Sequence, residues 1–69
     1  MDSEEFAALR TEVAAAWEAV KLTGRAYRET PNGRTKADAA AAMSHWRRSS
    51  DVLYEAIKER LRPTPPGNA

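Results

Sequence analysis

The sequence predicts an all-α fold: an antiparallel two-helix hairpin that pairs with a second copy into a four-helix bundle. Three observations predict it. Large apolar residues recur at helical spacing in two long stretches. A Thr30-Pro31-Asn32-Gly33 corner separates those stretches. Residues that would face each other after a fold-back at that corner complement one another in size and charge.

Helix 1 is read over residues 3–29. Asp2 followed by Glu5 suits a capping box, and Ser3, Glu4 and Glu5 put negative charge at the positive end of the helix dipole. Phe6, Leu9, Val13, Trp17, Val20 and Tyr27 then follow in steps of three, four and seven, which keeps them on one face. Ala, Glu, Lys and Arg, all good helix formers, occupy most positions between them. Ala8, Ala15, Ala19, Leu22 and Ala26 make a weaker second face, on which Leu22 is the one large residue.

The turn is read over residues 30–35. Pro31 fits position i+1 of a turn and biases Thr30 away from helical geometry, while Gly33 tolerates positive φ. Thr35 and Asp38 then form a T-x-x-D helix-start signal, so helix 2 is expected over 36–61. Its stripe is Ala39, Met43, Trp46, Ser50, Leu53, Ile57 and Leu61, with Tyr54 at the edge. Arg62-Pro63 ends it, and 63–69 reads as a disordered, proline-rich tail. The helical hairpin thus takes up 1–62.

A connection this short makes neighbouring helices antiparallel, with facing residue numbers adding to about 66. Leu9 then meets Ile57, Val13 meets Leu53, Val20 meets Trp46 and Phe6 meets Leu61. Trp17 faces Ser50, Tyr27 faces Ala39 and Met43 faces Gly24, the large-against-small alternation that interdigitating layers need. Lys58, Arg60 and Arg62 would lie beside the acidic first stretch.

Sixty-nine residues without cysteine form one small domain with no disulfide staple. Alanine dominates the apolar content, so the core is thin and burial against a second chain is expected. A lone hairpin would leave Trp17, Tyr27, Trp46 and Tyr54 partly wet. A net charge of +1 exerts no strong overall pull toward nucleic acid or anionic membrane. The acidic start lacks an apolar signal region, and no apolar run reaches the ~20 residues of a membrane span. A cytoplasmic location without membrane association is the expectation.

No catalytic, cofactor-binding or metal-binding residues are assigned. His45 is the only histidine, stands off the main stripe and has no acidic or histidine residue three or four positions away. Ser49 and Ser50 sit in no nucleophile motif. Arg47 and Arg48 beside Trp46 read as surface charge next to a core tryptophan. Arg60-x-x-Pro63-x-x-Pro66 matches an SH3-ligand pattern but reads as a helix stop and tail.

Lys21, Arg25, Arg28, Arg34 and Lys36 gather near the turn and give residues 21–36 a surplus of positive charge. They are the candidates for contact with nucleic acid or an acidic partner.

In outline the chain resembles the Rop family of plasmid copy-number regulators, RNA-binding dimers of helical hairpins. The likeness covers both helices, with a local Asp51-x-Leu53-Tyr54 match. It implies a dimeric bundle and carries over no site residue. The chain is also superficially similar to type VII-secreted hairpins, but it lacks their W-x-G turn, and Lys58 stands where their Y-x-x-x-[DE] signal needs an acid.

The functional expectation is therefore a non-enzymatic protein–protein interaction module, a small adaptor, inhibitor or regulatory subunit. It would self-associate as a homodimer through Phe6, Leu9, Val13, Trp17, Val20 and Tyr27 on helix 1 and Met43, Trp46, Leu53, Tyr54, Ile57 and Leu61 on helix 2. The alternative is a Rop-like nucleic-acid-binding regulator using the turn-end cations.

Overall fold

The computed structural model describes residues 2–62 as two α-helices, α1 (Ser3–Glu29) and α2 (Gly33–Leu61), packed as an antiparallel hairpin. The predicted tail, 63–69, and its proline motif lie outside the described residues.

α1 starts where Asp2 caps it, its carboxylate accepting the Glu5 backbone N–H at 2.8 Å. It ends at Thr30, whose N–H still reaches the Ala26 carbonyl at 2.8 Å. α2 begins three residues earlier than the Thr35 signal suggested. Asn32 is the cap: its side chain accepts the Thr35 N–H at 2.9 Å, and the Asn32 N–H donates back to the Thr35 hydroxyl at 3.0 Å. The same hydroxyl donates to the Thr30 carbonyl at 2.8 Å, tying the end of one helix to the start of the next. Thr35 is thus the third residue of the helix and the reciprocal half of a capping box. Gly33 enters the helix directly, without the positive φ anticipated for a turn.

The seam between the helices repeats every seven residues in alternating steps of three and four. On α1 it runs Phe6, Leu9, Val13, Ala16, Val20, Thr23, and on α2 Thr35, Ala39, Ala42, Trp46, Ser49, Leu53, Ala56, each buried or half-buried. The deepest positions hold small side chains: Ala16, at 3% exposure, with Ser49 and Ala56. Among the described residues no large side chain is fully buried. Small residues at these positions let the helix backbones approach closely.

That geometry adds to the predicted pairing: the Trp17 ring rests on Trp46, one turn before Ser50, with centroids 5.0 Å apart and planes tilted by 50°. Such a pair contributes about 0.5–1.5 kcal/mol beyond its buried area. Trp17, Ile57 and Leu61 flank the seam instead of filling it, and all three are exposed. Toward the open end the reading holds within a residue, with the Arg60 guanidinium 4.7 Å above the centre of the Phe6 ring.

Among the described residues the cross-helix charge pairing expected at that end is replaced by pairs one turn apart along the second half of the chain, Lys58–Glu55 at 3.7 Å in α2 and Glu59 with the capping residue Arg62 at 3.4 Å. These exposed pairs contribute little to stability.

Candidate interaction surface

Each residue of an antiparallel pair can be placed on a face by counting from the seven-residue seam. One broad face is built from the positions just outside the seam on both helices. Trp17, Gly24 and Arg10 supply the α1 side, while Lys36, Met43, Ser50 and Ile57 supply the α2 side. One step further out lie Lys21 and Arg28 on α1, and Arg47, Tyr54 and Leu61 on α2.

The predicted interface residues divide in two. Phe6, Val13, Val20, Met43, Trp46 and Leu53 are half-buried, closing the hairpin and edging the face, while the half-buried Leu9 closes it on the opposite side. Trp17 (42% exposed), Tyr54 (61%) and Leu61 (76%) present apolar surface, as do Tyr27 and Ile57. Together these five expose on the order of 500 Å² of residue surface, spread along the length of the hairpin. Phe6, Ile57, Arg60 and Leu61 enclose a shallow depression at the open end of this face.

Three of the five predicted turn-end cations, Lys21, Arg28 and Lys36, stand on this face, whereas Arg25 and Arg34 lie around the back. Lys21 is paired with Glu18 at 2.8 Å, both side chains largely exposed. Sequence reasoning missed Arg10, Arg47 and Arg60 as neighbours of the same face. Their spacing from the seam carries the signal, but the large-residue stripe through Trp17 lies one residue away from the seam at Ala16.

The opposite face gathers a different set. Leu9, Glu12, His45, Arg48, Ser49 and Val52 surround a small depression, bringing an acid across the seam toward His45 that no local spacing revealed. A nucleophile there would need donors aimed at a developing oxyanion. The residues lie in helix interiors, where backbone N–H groups are committed to carbonyls one turn back. Among the described residues no three His, Cys, Asp or Glu side chains converge as a metal site. No helix among them is long and apolar enough to cross a membrane.

Comparison with protein-family models, curated proteins and solved structures found no match to this chain.

Proposed function

We propose that the chain is a non-enzymatic protein–protein interaction module, a small adaptor, inhibitor or regulatory subunit. It docks through the Trp17–Tyr54–Leu61 face and, without another partner, self-associates through that face into a four-helix bundle. One observation carries the reading: five large apolar side chains are exposed on one face or its edge, while among the described residues no large side chain is fully buried between the helices. Covering that face adds the burial a thin two-helix core lacks, at about 25 cal/mol per Å² removed from water. With its half-buried neighbours and the aliphatic stems of Lys21, Arg28 and Arg47, the face can approach the ~800 Å² per partner of an ordinary stable interface.

Sedimentation equilibrium tests it. The wild type should rise above its 7.6 kDa chain mass as loading increases through the micromolar range. The double variant Tyr54→Gln/Leu61→Gln, altered only at exposed positions, should stay monomeric with unchanged helicity. A wild type fixed at the chain mass, or a variant that associates as well as wild type, contradicts the proposal.

A further inference from the structure

The net charge of +1 hides a strong asymmetry. Of the eleven basic residues, six stand on the exposed apolar face or along its seam edge: Arg10, Lys21, Arg28, Lys36, Arg47 and Arg60. None of the ten acidic residues does. The nearest are Glu18 and Asp51, at the outer rims of α1 and α2, and Glu18 pairs with Lys21. Arg60 lies over Phe6. Among the described residues, Arg10, Arg28, Lys36 and Arg47 have no carboxylate within ion-pair distance.

A second copy docked through this face would set cations against cations. Like charges across an interface oppose binding, and they do so more strongly as water is excluded. Self-association through this surface is therefore held weak by the chain's own charges. The complementary occupant has apolar residues along its middle and carboxylates along both borders.

Two features point to a helix as that occupant. Lys21 and Arg28 are seven residues apart, about 10.5 Å along α1. That repeat matches carboxylates placed every second turn beside the apolar stripe of an amphipathic helix. Trp17 and Trp46 pack against each other as a tilted pair, not as separate platforms for nucleobases.

Resting on the proposed function above, we infer that the preferred occupant of this face is an acidic amphipathic helix of a partner protein, which displaces the weak self-associated state. The two equilibria then respond oppositely to salt. Screening relieves the repulsion between copies and tightens self-association, and it loosens the complex with the acidic helix.

The test uses two synthetic helical peptides with the same leucine stripe, one bordered by Glu and one by Lys, titrated into the full chain at low and high salt. The Glu-bordered peptide should bind at least about tenfold more tightly at low salt, with the preference shrinking at high salt. The variant Arg28→Gln/Arg47→Gln should lose most of that preference while keeping its helicity and its ability to self-associate. Equal affinities, or no binding of either peptide, overturn the inference. So does tighter binding to anionic vesicles or duplex RNA than to the Glu-bordered peptide. Self-association that weakens with salt and grows past two copies would also overturn it, because the face would then take the acidic side of another copy. If the wild type associates but shows no charge preference, only this inference fails; if it neither associates nor binds a peptide, the interaction-module reading fails too.

Discussion

At the corner, one amide and one hydroxyl do the work of a longer loop. Asn32 and Thr35 satisfy each other's backbone N–H groups, and Thr35 reaches back to the Thr30 carbonyl. Removing the cap with Asn32→Ala should cost about 1 kcal/mol, read as a lower midpoint in chemical denaturation, while Asn32→Ser should retain most of the stability. An unchanged midpoint for the alanine variant would contradict the capping role. Ala16 makes the opposite test, since it is packed at the deepest point of the seam. Ala16→Leu should destabilise by about 1–3 kcal/mol by forcing the helices apart, and stability equal to wild type would mean the seam is not close-packed. Asp2 was legible as a cap because acids follow it. Asn32 was not, because Pro31 and Gly33 on either side suggested a turn, and Asn serves turns and caps equally well. Ala16 was hidden for another reason: in a chain this rich in alanine, a seam alanine looks like any helix-forming alanine.

Each helix is long for its number of large apolar residues, and that shapes where the chain can be improved. Gly24 lies inside α1 with helical geometry, and an added Cβ would meet nothing within 4 Å. Gly24→Ala should therefore stabilise the hairpin by about 0.5–1 kcal/mol, a rise of several degrees in Tm for a chain of this size. A fall in Tm would reveal that the open space over Gly24 is used for close approach by another chain. The two helices and their antiparallel sense were legible because hydrophobic period and fold-back register are redundant signals, repeated over several turns. The rotation of the stripe was not. Trp17 and Ala16 are adjacent, the larger one draws the eye to the seam, and close helix packing then favours the smaller one. The same slip hid Arg10, Arg47 and Arg60, whose common face follows only once the seam is placed correctly.

For the whole molecule, the central claim is that the Trp17–Tyr54–Leu61 face is the one that becomes covered. Its apolar content could be foreseen from composition, because two helices with two tryptophans and two tyrosines cannot bury them all against each other. Its uniform positive charge could not, since net charge averages over faces that only the fold separates. Leu22 and Val52 provide internal controls: both are exposed, and both lie away from this face. Hydroxyl-radical footprinting with residue-level readout, at dilute and concentrated loadings, compares them directly. Trp17, Tyr54 and Leu61 should lose reactivity as the concentration rises, while Leu22 and Val52 keep theirs. Protection of Leu22 and Val52 instead, or equal change at all five positions, would contradict the account.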